Sequence, residues 1–188
     1  MIDIVFINPN SSVKVYQKLS SDYAAIEPPT WTLLLAESCR SKGFSCKIID
    51  ANAERLDHEE VFKLIDIYSP RIICFVVYGQ NVNAGTTNMS GATNLSNFIK
   101  KKTNKPIVYV GSHVQALPIE TLKNEKSIDI VCTNEGVYAL HDLLRIQNHS
   151  GSEVADVAGI AYRKNGKPHL NKPAKIVPQS KMDIDLPG

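Results

Sequence analysis

Six consecutive apolar residues, Ile72-Ile73-Cys74-Phe75-Val76-Val77, form the most apolar strand candidate in the chain, and four of them are β-branched. A run this short, bounded by Pro70 and by Tyr78-Gly79, predicts a strand over 72–77 that is buried on both faces of its sheet. Such a sheet needs helices on both sides, and the flanking sequence supplies them. Strands are expected over Ile2–Ile7, Ser45–Asp50, Ile107–Val110 and Ile128–Cys132, and helices over Trp31–Arg40, Asp57–Tyr68, Leu117–Lys123 and Val137–Ile146. Strand and helix alternate five times without a lone hairpin, which requires right-handed crossovers. The fold class is therefore α/β: a doubly wound, five-stranded parallel sheet of the flavodoxin-like or Rossmann-like kind, in strand order 2-1-3-4-5.

Residues 1–147 form this domain, and 148–188 are expected to be a small β-hairpin followed by a linker. Asn165-Gly166 marks the hairpin turn between Val157–Arg163 and Pro168–Leu170. From Lys172 onward the chain is poorly hydrophobic and carries Pro173, Pro178 and Pro187. The long polar segment between Tyr78 and Asn97 reads as a loop that turns helical only near Phe98 and Ile99.

Charge and cysteine content narrow the function. A net charge of +2, from 21 basic and 19 acidic residues, gives no surface for nucleic acid or an anionic membrane. No apolar stretch approaches the ~20 residues that span a bilayer, and Met1–Ile7 reads as a strand, not a signal peptide. Cys39, Cys46, Cys74 and Cys132 have no paired spacing, so they encode neither a zinc site nor an iron–sulfur cradle. Buried reduced thiols in a cytoplasmic protein are expected.

In a doubly wound sheet, ligands bind outside the carboxyl ends of the strands. The loops there carry Asn8-Pro9-Asn10-Ser11, Tyr78-Gly79-Gln80-Asn81, Gly111-Ser112-His113 and Thr133-Asn134-Glu135-Gly136. Amides, hydroxyls and small residues dominate, which suits hydrogen bonding to a large, weakly charged ligand better than acid–base chemistry. The segment after Gln80 adds further asparagines and hydroxyls such as Thr86; its other reading is a surface loop in which Asn and Gly serve only as turn formers. Glu135 is either a helix-start charge or a ligand contact. G-x-G-x-x-G, a P-loop and a phosphoacceptor aspartate after the third strand are all absent, and His113 has no second metal ligand at ligand spacing.

Several blocks together carry a family resemblance. They are Ile7-Asn8-Pro9 with Glu27-Pro28-Pro29, then Gly43-Phe44 with Ile48-Ile49-Asp50-Ala51, then Gly111-Ser112-His113 with Ala116-Leu117-Pro118, and finally Asp129-Ile130-Val131 with Glu135-Gly136. In this order and spacing the chain resembles the N-terminal cobalamin-binding domain of B12-dependent radical S-adenosylmethionine enzymes. It departs from the family pattern at Ser112 (usually a second glycine), at Asn134 and Val137, and at Trp31-Thr32.

The resemblance implies cobalamin as cofactor, held by Asn8, Pro9, Tyr78, Gly79, Gln80, Asn81, Thr86, Gly111, Ser112, His113, Ala116, Asn134, Glu135 and Gly136. None of the five histidines lies in the D-x-H-x-x-G motif that supplies a lower cobalt ligand, so no protein metal ligand is expected. The 4Fe-4S cluster and S-adenosylmethionine belong to a radical SAM domain, joined in cis or in trans, that these residues do not contain. No catalytic residue is expected in this chain. The alternatives are a nucleotide-binding or regulatory sensor module, a small hydrolase using Ser112, His113 and Glu135, and a domain that docks a partner protein.

Overall fold

The computed structural model describes residues 1–10, 26, 28–78, 82–149 and 152–187, with residues 82–84 described as backbone only. Seven strands form one sheet: β1 (Ile2–Asn8), β2 (Cys46–Asp50), β3 (Pro70–Val76), β4 (Ile107–Val110), β5 (Ile130–Cys132), β6 (Ile160–Lys164) and β7 (Lys167–Leu170). Their spatial order is β2-β1-β3-β4-β5-β6-β7. The first five are parallel in the expected order 2-1-3-4-5, with Phe6 level with Ile48 and Cys74, and Cys74 level with Val108.

The C-terminal hairpin is where the sheet departs from five strands. β6 pairs antiparallel with β5 and β7 with β6, so the hairpin continues the sheet. The open edge of β5 supplies the unpaired backbone groups that β6 takes up. Asn165 (φ 52°) and Gly166 (φ 77°) make a two-residue turn with both residues left-handed, which matches the twist of the strands it joins.

Side chains alternate between two cores. One face of the sheet is covered by α1 (Thr30–Ser41) and, further along the chain, α6 (Val137–Arg145). Leu35, Ala36, Leu140 and Leu143 from these helices bury against Phe6, Cys74, Val110 and Cys132. The other face is covered by α2 (His58–Tyr68), α3 (Val82–Lys100), α4 (Ser112–Ala116) and α5 (Pro118–Asn124), which pack on Val5, Ile73, Phe75 and Tyr109. Short helices α7 (Ser152–Ala155) and α8 (Met182–Asp185) complete the set. α2 starts with a full capping box, in which Asp57 accepts from Glu60 N–H and Glu60 accepts from Asp57 N–H.

α3 corrects the loop expected between Tyr78 and Asn97. Met89, Ala92, Ser96 and Ile99 are buried at helical spacing, and this stripe outweighs the turn propensity of the intervening Asn, Ser and Gly residues. Ser96 also joins a buried hydroxyl chain, accepting from Tyr109 OH at 2.9 Å and sharing a bond with Ser127 at 2.8 Å.

The amino ends of the strands are tied by charges. Asp3 accepts from Ser45 N–H (2.9 Å) and Ser45 Oγ (2.6 Å) and pairs with Arg71 (3.2 Å), and the Ser45 hydroxyl is the main reason its carboxyl sits below the usual range. Arg71 also donates to the carbonyls of Leu144 (3.2 Å) and Ile146 (2.7 Å). Asp129 pairs with Lys100 (2.5 Å) and accepts from Ile107 N–H (2.8 Å). Arg163 donates to the carbonyls of Leu122 (2.6 Å), Glu125 (2.8 Å) and Ile128.

After β7 the chain runs as a strap over the α1/α6 face. Gly159 N–H donates to Lys172 O at 2.7 Å, and a side chain at Gly159 would meet Ala174 Cβ at 2.5 Å. Val177 and Leu186 pack on the core. At the far end Asp185 accepts from Lys42 Nζ (2.7 Å) and Tyr138 OH (2.8 Å), which hold its carboxyl low. Its backbone carbonyl accepts from Ser38 Oγ (2.5 Å), itself bonded to His141 Nε2 (2.9 Å).

Candidate functional site

The carboxyl ends of β1 to β5 lie side by side, because parallel pairing brings Asn8, Asp50, Tyr78, Gly111 and Thr133 to one edge. Gly79, Gln80 and Asn81 belong to this edge by sequence and lie outside the described residues.

On the α3/α4 side stand Thr86, Ser112 and His113. Thr86 Oγ1 and His113 Nδ1 share a hydrogen bond of 3.1 Å. Ser112 Oγ is buried and has no hydrogen-bond partner. It faces Gly85, where a Cβ would fall 2.1 Å from the hydroxyl. A buried hydroxyl without a partner carries a desolvation cost of about 1–3 kcal/mol, so this one is set up to meet a polar group from outside the described residues. Ser112 and His113 share no hydrogen bond in this structure. Ala116 is exposed at the end of α4.

Gly111 is fixed by the packing of the backbone beside it. A Cβ there would fall 2.2 Å from the Val77 carbonyl oxygen, so the glycine is demanded by the neighbouring chain at the end of β3. The adjacent bond, Val77 N–H to Val110 O at 2.7 Å, holds the two backbones at this separation.

On the α1/α6 side the edge is aromatic. Trp31, in the first turn of α1, stacks on Tyr78 with ring centroids 4.9 Å apart and planes at 22°. Burial, with smaller contributions from Cys132 and Glu135, pushes the Tyr78 phenol up to about 12. Asn88 supports the pair by donating to Tyr78 O at 3.3 Å. Asn134 Oδ1 accepts from Gly136 N–H (3.0 Å), and Gly136 (φ 87°) caps α6 in a left-handed conformation with Val110 close beneath it. Glu135 Oε1 accepts from Val177 N–H at 2.7 Å, which ties this turn to the strap.

At the β1 end, Asn8 Nδ2 donates to Asp50 Oδ1 at 2.8 Å, and Pro9 is buried. The expected residues thus occupy one edge but two separate sides of it. Gly85 and Trp31 stand among them and were not in the expected set. Gly85 carried a signal, since glycine inside a helix costs roughly 0.5–1 kcal/mol relative to alanine and calls for a packing reason.

Among the described residues no cluster of His, Cys, Asp and Glu is arranged to hold a metal ion, and no helix is long and apolar enough to cross a membrane. The cysteines are all free, with Cys39, Cys74 and Cys132 buried.

Residues 18–144 match the family model of the B12 binding domain. The chain is 29% identical over 162 residues to an uncharacterized methyltransferase of Pyrococcus horikoshii, covering 86% of this chain and 33% of that protein. The structure of the radical S-adenosylmethionine methyltransferase TsrM from Kitasatospora setae, with cobalamin and an iron–sulfur cluster bound, superposes with a TM-score of 0.69 at 15% identity over 94% of this chain and 30% of that one. The cobalamin-dependent radical enzyme OxsB, with aqua-cobalamin and S-adenosylmethionine bound, gives a TM-score of 0.62 at 17% identity, over 94% and 23%. The chain therefore spans about a third of the curated relative it matches.

Proposed function

Because the chain belongs to the B12-binding domain family, we propose that it binds cobalamin across the carboxyl edge of its sheet and presents it to a radical SAM domain. Bound cobalamin supplies a cobalt centre that can relay a methyl group or assist another radical step on a substrate held elsewhere.

The observation that carries this reading is the buried, unpartnered Ser112 hydroxyl in the gap left by Gly85. The groups around it fit a ligand rimmed with amides and carrying one phosphate. Ser112 Oγ can donate to the phosphate or an amide carbonyl, the Asn8 amide oxygen can accept from an amide, and the Thr86–His113 pair can do either. Asn134 holds the turn that positions Glu135 and Gly136 along the same edge. Gly111 keeps β3 and β4 close enough for that edge to be continuous. Gly79, Gln80 and Asn81 would complete it, and Pro9 and Ala116 would line it without polar contact. His113 bonds Thr86 on the side away from the aromatic pair.

The test is direct. The purified chain is incubated with hydroxocobalamin, desalted, and its visible spectrum recorded. Corrin absorbance should co-elute at close to one equivalent, and Ser112→Val should weaken its retention while the far-UV spectrum stays native. If no corrin absorbance follows the folded wild-type chain, the reading falls.

A further inference from the structure

The two sides of the carboxyl edge offer a ligand different chemistry. The α3/α4 side is polar, with Thr86, Ser112 and His113. The α1/α6 side carries two rings already stacked on each other. Trp31 remains 37% exposed in that stack, although a large apolar ring at the start of a helix gains more from being covered. Tyr78 is half-buried and anchored to the core on the same face, so it acts as a fixed support beneath the indole. Aromatic pairs of this kind contribute about 0.5–1.5 kcal/mol beyond burial. Here that energy holds an exposed ring still before any ligand arrives, which lowers the ordering cost of binding.

We propose that Trp31, backed by Tyr78, is the surface on which a flat conjugated part of bound cobalamin packs, and that it sets affinity for that part. The proposal rests on the cobalamin reading above. Tyr78 takes part through its ring: its phenol is held neutral, so the pair offers π-surface and one hydroxyl, not a phenolate. The group is either the conjugated face of the corrin macrocycle or the aromatic nucleotide base, which both offer a face for a ring to pack on and can be separated by probe.

Trp31 is the only tryptophan in the chain, so selective tryptophan emission reports on this position alone. The full chain is titrated with hydroxocobalamin and, separately, with cobinamide, which has the corrin and lacks the base. Binding is followed by tryptophan emission in the wild type and by corrin absorbance retained on desalting in every variant. Wild-type emission should be quenched saturably, with the midpoint given by corrin retention. Trp31→Leu, which keeps apolar volume and removes the π-face, should weaken binding by about tenfold. Trp31→Phe should recover most of that loss. A Trp31 effect seen equally with cobinamide assigns the stack to the corrin, and an effect confined to hydroxocobalamin assigns it to the base. If Trp31→Leu, shown folded by far-UV circular dichroism, retains corrin as tightly as the wild type, the inference is overturned while the cobalamin reading stands. If the folded wild type retains no corrin at all, both fall.

Discussion

At the amino ends of the strands Asp3, Arg71, Asp129 and Arg163 each hold two or more partners, whereas at the carboxyl ends Ser112 Oγ is buried with none and Trp31 stays over a third exposed. Both edges are made by the same parallel pairing, so the difference lies in the side chains. The amino edge ends in charges, directed at backbone carbonyls and at the strand starts beside them. The carboxyl edge ends in amides, hydroxyls and rings, joined by single hydrogen bonds such as Asn8–Asp50 and Thr86–His113. Charges held by several partners at once contribute stability, whereas an unmet hydroxyl beside an exposed ring is available for binding. The contrast yields predictions for each edge.

The largest effect is expected on the amino edge. Arg163→Met removes the donor for three carbonyls at once and should cost about 2–3 kcal/mol, read as a lower urea midpoint, with cobalamin retention per folded molecule unchanged. Loss of retention in that folded variant would break the division between the edges. Gly111→Ala probes the exception, a carboxyl-edge residue with a structural task. Its Cβ meets the Val77 carbonyl, and a stability loss of about 1–3 kcal/mol should appear without any ligand present.

Ser112→Ala should move in the opposite direction. Deleting a buried hydroxyl that has no partner should raise the ligand-free midpoint by about 0.5–1 kcal/mol while weakening corrin retention. A drop in ligand-free stability would mean that the hydroxyl already has a partner in the folded chain.

The smallest effect is expected from pH, where α1 and α6 meet the strap. Burial, reinforced by Arg145 and Lys42, holds the His141 imidazole below its ordinary value of 6.5, so it is neutral in the folded chain. The unfolded chain takes up that proton first as the pH falls. Stability is therefore fully present above about 6.5 and declines below it, and burial of His149 works in the same direction. Thermal midpoints measured across that range should fall on acidification, and less so in a His141→Asn variant.

How much of this was legible in the sequence depends on the range of the interaction. The five parallel strands followed from the alternation of short apolar runs with amphipathic segments, each a local pattern, and their order from the arrangement that a five-unit βα chain most often takes. α3 was obscured because its buried stripe, Met89, Ala92, Ser96 and Ile99, is interleaved with asparagines that signal turns. The stripe is there to be counted at period 3.6, and Asn94 and Asn97 lie on the outward side. The site was legible as an edge and not as contacts. That Gly111 answers to Val77, that Gly85 faces Ser112 and that Glu135 holds Val177 are facts of packing between residues 27 to 42 positions apart. No spacing rule reports them.

The strap has a consequence in chain statistics. Even a flexible Gly-rich segment as long as residues 171–186 would let its far end wander over roughly 20–25 Å. Pinned at Lys172, Val177 and Asp185, the strap removes most of that freedom. A second domain joined beyond Leu186 would start from a nearly fixed point beside Lys42 and Tyr138. Its effective concentration at the carboxyl edge would then be set by geometry and not by diffusion of a tether.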